Sequence, residues 1–276
     1  MQVNKIDNLT SLRFFAALSV FLSHVTPLGI EFSKYAWGVN LGWTVSFFYV
    51  LSGFVLSVSR EGRSFGPGGI GIFIAQRFFR LWPLHAVCAA IALLTLGISG
   101  GTNGTFTQFY LFLTLQHSWI PSYSTAFFIN GVSWSISVEW FFYIMFPFLI
   151  IRRTRTILLV AMLWAAVVYG FMTFVSWNPG LIPFAPIPKQ LMTPGVTETS
   201  FFHLFPPIRF IEFLSGMLVY QLYRRVKIPD NLVFLAQVAC TGVLLAYMIN
   251  YVSILTLGLT WLPTVIGYNQ GHYGAF

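Results

Sequence analysis

The sequence predicts an all-α protein, a polytopic transmembrane helix bundle of seven to eight spans. Three observations predict it. Only 8% of the 276 residues are charged and 57% are hydrophobic, whereas a soluble domain carries about a quarter charged residues. Apolar runs of about 20 residues, long enough to cross a bilayer as helices, recur along the chain. The basic residues collect in alternate loops between those runs, which is the positive-inside pattern.

The spans are read at residues 9–29, 38–58, 82–99, 133–151, 156–176, 204–223 and 232–252, with an eighth, incomplete one starting at Ser253. Lys5, then Arg60, Arg63, Arg77 and Arg80, then Arg152, Arg153 and Arg155, then Arg224, Arg225 and Lys227 fall on one side. The other side holds only Lys34 and Lys189. The N-terminus is therefore expected in the cytoplasm. The net charge of +8 is accounted for by these loops, so no nucleic-acid partner is expected. No cleavage site follows the first apolar run, so no signal peptide is expected. The whole chain, 1–276, reads as a single membrane domain with no separate soluble domain and no internal repeat.

The first span, "LTSLRFFAALSVFLSHV", carries Arg13 near its inner end and His24 in its outer half. Eleven residues are close to three helical turns, so the two share a face, separated by roughly 16 Å along the axis. Ionisable groups inside spans are costly and point to function. Arg13 can equally snorkel to the inner interface, and His24 can be a hydrogen-bonded packing residue. The third span is preceded by "QRFFRLWP", where Arg77 and Arg80 are adjacent on a helix surface. Guanidinium forks suit phosphate, but on spacing alone topological anchoring is the favoured reading. "FTQFYLFLTLQHSW" (106–119) is too short for a span and is read as re-entrant or interfacial.

The fourth span contains "NGVSWSISVEWFFY" and Glu139, a few residues in from the outer end and at a depth similar to His24. A carboxylate can orient an imidazole and raise its basicity, making a general base. Glu139 can also simply bond Ser135 on its own helix. The loop at 177–203 is proline-rich. In the sixth span, Arg209 and Glu212 stand three apart and read as an intrahelical ion pair. His85, His117 and His203 read as packing or interface residues, and His272 lies in the tail. None has metal-ligand spacing, so no metal is expected. Cys88 and Cys240 read as small core hydrophobes.

Five of these segments, in order, resemble the acyltransferase-3 family of integral-membrane O-acyltransferases. "IDNLTSLRFFAALSVFLSH" is similar to its opening, an arginine and a histidine with ten residues between them. "FFYVLSGFVLS" (47–57) resembles its second-span signature, and "RFFRLWP" (77–83) its Arg-x-x-Arg element followed by proline. "GVSWSISVEWFFYIMFP" (131–147) resembles its Ser-Trp-Ser-x-Ser-Val-Glu-Trp segment. "RFIEFLSGML" (209–218) resembles its Pro-Glu-Phe-Leu-x-Gly element, with Ile211 in place of the proline. The ordered set spans most of residues 6–218.

The resemblance implies transfer of an acyl group, commonly acetyl, from acyl-CoA to a hydroxyl of a cell-surface or exported carbohydrate or glycolipid. It implies a catalytic role for His24, essential roles for Arg13 and Glu139, and binding of the acyl-CoA donor (acetyl-CoA foremost) by Arg77 and Arg80. It implies location in the cytoplasmic (inner) membrane of a bacterium. His24 would act as general base, oriented by Glu139, or would first accept the acyl group itself. Arg13, Ser133 or Ser135 would stabilise the oxyanion. The proline-rich loop at 177–203 reads equally as an acceptor-facing lip or as an ordinary surface loop. The family core commonly has ten spans and a late Ser-Tyr-Ser-x-Tyr-x-x-His segment, whereas this chain stops at Phe276 without one. A C-terminally incomplete, inactive member is therefore the alternative expectation. A transporter is a more remote one, since transporter-like repeats and broken mid-membrane helices are absent from the sequence.

Overall fold

The computed structural model describes residues 13–18, 20–21, 43–63, 65–98, 104–150, 154–177 and 195–226. The described elements are all helical, with no strand among them. Residues 13–18 and 20–21 are helical. The longer elements are α1 (Trp43–Ser59), α2 (Gly69–Ile98), α3 (Phe106–Leu113), a 3-10 turn (His117–Trp119), α4 (Tyr123–Ala126), α5 (Trp134–Ile150), α6 (Thr154–Trp177), α7 (Glu198–Leu204) and α8 (Pro206–Tyr223).

Among the described residues, two helical stretches, Gly69–Thr95 and Thr154–Val175, are long and apolar enough to cross a membrane. Both expose apolar side chains outward: Ile72, Phe79, Leu84, Val87, Ile91 and Leu94 on α2, and Leu159, Leu163, Val167 and Phe174 on α6. Such a coat is unfavourable in water and suits lipid. The last predicted spans, 232–252 and beyond Ser253, lie outside the described residues. So does Cys240, whereas Cys88 is a free, half-buried thiol.

The core is aromatic. Tyr49, Phe73, Phe142, Phe146, Phe210 and Phe213 belong to one buried cluster. Phe142 stacks on Phe213 with ring centroids 5.0 Å apart. The closest helix crossing is between α1 and α8. A Cβ at Gly53 would run into the carbonyl oxygen of Phe213, and one at Gly216 into that of Val50. Small residues let two backbones approach where the bilayer supplies no hydrophobic drive. On the other side of α8, Trp164 Nε1 of α6 donates to the Pro207 carbonyl at 2.8 Å.

The segment at 104–133 folds back as a plug. Thr105 and Gln108 form a capping box at the start of α3. The chain then reverses through Leu115 (φ 59°) and Ile129 (φ 61°), a left-handed conformation that costs an L-residue energy, most of all a β-branched one. The turn after α3 bonds back to its last carbonyls, with the Leu115 N–H on Phe112 and the Gln116 N–H on Leu111, and α2 adds side-chain donors there. Trp82 Nε1 donates to the Leu113 carbonyl at 3.1 Å, and His85 Nε2 to the Phe112 carbonyl at 3.0 Å. The segment 106–119, too short to span, thus packs by its end against α2.

Candidate active site

Glu139 lies on α5 among apolar neighbours, and two hydroxyls converge on its Oε1. Tyr143, one turn further along α5, makes a short hydrogen bond to it. Ser52 of α1 donates to the same oxygen at 3.4 Å. The two hydroxyls satisfy the carboxylate oxygen among apolar helices. Ser135, the expected alternative partner, instead donates to the Val132 carbonyl at 3.0 Å.

Arg77 reaches the same centre. Its guanidinium lies 5.6 Å from the centre of the Tyr143 ring and 5.2 Å from that of Phe73. Arg60 covers the Phe73 ring at 5.2 Å and Phe65 at 4.6 Å. Cations held on ring faces keep free N–H groups for an anion. Arg80, three residues on, is exposed. The helix starts at Gly69, well before the predicted span at 82–99, so Arg77 stands eight residues inside it. Tyr143 thus stands between Arg77 and Glu139, its ring under the guanidinium and its hydroxyl on the carboxylate.

Arg13 is helical and half-buried. It shares a helix face with buried Ala16, while Phe14, Phe15, Leu18 and Phe21 are exposed. His24 lies outside the described residues.

The serines of "SWSISVE" hold the plug. Ser133 Oγ donates to the Asn130 carbonyl at 2.7 Å and therefore accepts from His117 Nε2 at 3.2 Å. Ser137 Oγ accepts from the Ser118 backbone N–H at 3.2 Å, and Ser118 Oγ donates to the Trp134 carbonyl at 2.9 Å. His117 stacks on His85 with centroids 6.0 Å apart. Burial foremost, then the neighbouring His85, pushes the His117 imidazole down to about 4, so it is neutral at physiological pH. His203, packed against the Trp134 ring at 4.8 Å, is pushed down by burial and by Arg209. The packing role expected of these three histidines matches their geometry. Among the described residues no group of His, Cys, Asp and Glu could hold a metal ion.

Sequence reasoning missed Tyr143, Ser52 and Arg60. Tyrosine and serine are ordinary in apolar helices, and Arg60 read only as a loop cation. The one available signal was position: Ser52 lies in the second-span segment and Tyr143 one turn after Glu139.

The acyltransferase domain family matches residues 6–274 of the chain. The chain is 30% identical over 234 residues to the acyltransferase MdmB of Streptomyces mycarofaciens, covering 79% of the chain and 57% of that protein. It is 30% identical over 166 residues to nodulation protein 10 of Rhizobium leguminosarum bv. viciae, covering 52% of the chain and 44% of that protein. It thus spans about half the length of these curated relatives. No solved structure matches it.

Proposed function

The chain belongs to the acyltransferase domain family, and from that premise we propose that it is a membrane O-acyltransferase. It moves an acyl group, acetyl in the first instance, from acyl-CoA to a hydroxyl of a cell-surface or exported carbohydrate. It works as one domain of seven to eight spans in the inner membrane, N-terminus in the cytoplasm. The observation that carries the reading is Glu139, held by Tyr143 and Ser52 inside apolar helices, with Arg77 over the same tyrosine. That the relative MdmB is named an acyltransferase supports it.

In this reading Arg77 and Arg80, joined by Arg60, take the CoA phosphates from the cytoplasmic side. His24, oriented by Glu139, removes the proton of the acceptor hydroxyl. The oxygen attacks the thioester carbonyl, and the tetrahedral intermediate collapses with loss of CoA thiolate, which leaves as the thiol after taking the proton from His24. Ser133 and Ser135 already donate to the Asn130 and Val132 carbonyls, and Arg13, roughly 16 Å from His24 along the helix axis, lies on the path of the acyl donor. A two-step route through an acyl-His24 intermediate uses the same residues. Single-turnover labelling with acetyl-CoA and no acceptor separates the two routes.

The test is the O-acetyl content of the surface glycan in cells carrying His24→Ala or Glu139→Gln, with membrane insertion verified. Loss of transfer is expected in both. Wild-type acetylation in either variant would remove that residue from the mechanism.

A further inference from the structure

The mechanism above leaves one buried polar cluster unused. On α8, Arg209 Nη2 pairs with Glu212 Oε1 at 3.2 Å and also donates to Ser46 Oγ of α1 at 3.0 Å. The guanidinium lies 5.4 Å from the centre of the Tyr49 ring. The intrahelical ion pair read from the sequence is present, but it does not satisfy its members. Arg209 Nε and Glu212 Oε2 are both buried and have no hydrogen-bond partner. A bare donor beside a bare acceptor in an apolar interior is costly. Nε and Oε2 themselves are covered, while 14% of the Arg209 side chain and 20% of that of Glu212 remain accessible beside them.

A hydroxyl, whether of water or of a ligand, can meet both needs. A hydroxyl donates its proton to Oε2 and accepts from Nε–H. A carbonyl serves only the nitrogen, and an ammonium only the oxygen. Arg209 is the fourth residue of α8, at the end that the proposed topology turns outward, where a carbohydrate acceptor arrives. The cluster and the candidate catalytic centre both lie against α1. Ser46, Tyr49 and Ser52 recur every three residues along α1. Ser46 meets Arg209, Tyr49 donates to the Ser135 carbonyl at 3.4 Å, and Ser52 donates to Glu139.

We infer that Arg209 and Glu212 form an acceptor subsite, which binds a non-reacting hydroxyl of the carbohydrate and so presents a neighbouring hydroxyl to the centre at Glu139. The inference rests on the acyltransferase reading and adds to it the residues that select a polyhydroxylated acceptor.

The experiment uses the full chain in its source strain deleted for the gene, carrying wild type, Glu212→Gln or Arg209→Lys. Three quantities are read: base-labile acetate on the surface glycan, acetyl-CoA affinity of the purified protein, and the amount of chain in the membrane. Glycan acetylation is expected to fall about 10-fold or more in both variants, with donor affinity and membrane level unchanged. Retained acetylation in either variant overturns the subsite. So does a parallel loss of acetyl-CoA binding, or failure of both variants to accumulate, since either makes the pair a structural brace. A wild-type chain that binds no acetyl-CoA and acetylates no glycan overturns the acyltransferase reading itself.

Discussion

At the scale of single residues, Glu139 Oε1 collects two hydroxyls, and their roles are separable. Glu139→Gln keeps the shape and removes the charge, so transfer should fall about 100-fold, measured as acetyl transfer at saturating donor. Tyr143→Phe removes one donor and leaves the carboxylate, so about a tenfold loss in kcat is expected, with the KM for acetyl-CoA unchanged. An equal loss in both variants would mean that the tyrosine, not the carboxylate, is the operative group. Arg77 and Arg80 divide differently. Arg80 is exposed, so Arg80→Ala should weaken acetyl-CoA binding without affecting stability. Arg77 sits on Phe73 and Tyr143, so Arg77→Ala should also cost about 1 kcal/mol of stability, read from the thermal midpoint in detergent. Ionisable groups such as Glu139 and Arg77 were legible in the sequence because lipid rejects them. Ser52 and Tyr143 were not, because their partners are 87 and 4 residues away, and only the first of those contacts requires a fold.

At the scale of elements, the α1–α8 crossing and the plug position the site. Gly53 and Gly216 each face the carbonyl of the opposite helix. Gly216→Ala should force the helices apart at a cost of about 1–3 kcal/mol or more, seen as reduced folded protein in the membrane. Recovery of wild-type levels would mean that the crossing tolerates separation. Both glycines lie in segments read only as signatures; the reason for a glycine at these positions is a neighbour some 160 residues away, 163 between Gly53 and Gly216. The plug was legible as an element too short to span. That it folds inward rather than along the surface depends on Trp82 and His85 of α2 meeting the end of α3. Ser118→Ala should loosen it by about 1 kcal/mol, detectable as faster proteolysis within residues 104–133.

At the scale of the whole molecule, the plug ties stability to pH. His117 has its folded value pushed down to about 4, below the ordinary value of about 6.5. Between these values the unfolded chain binds the extra proton, so stability is full above about 6.5 and falls as pH drops towards 4. The slope is at most about 1.4 kcal/mol per pH unit. The thermal midpoint should therefore decline on acidification through that window, and His117→Asn should reduce the decline. Local sequence carries the helical class and the apolar character. These follow from local composition and from the lengths of apolar runs, which the bilayer reads directly. It also marked Arg13, Arg77 and Glu139, because a charge among apolar neighbours is conspicuous without a fold. Only the tertiary structure decided that Tyr143 joins Arg77 to Glu139 and that the motif serines hold a plug. It alone showed that Arg209 and Glu212 keep a donor and an acceptor to spare. These are facts of distance between segments far apart in the chain, and spacing along one helix carries no record of them.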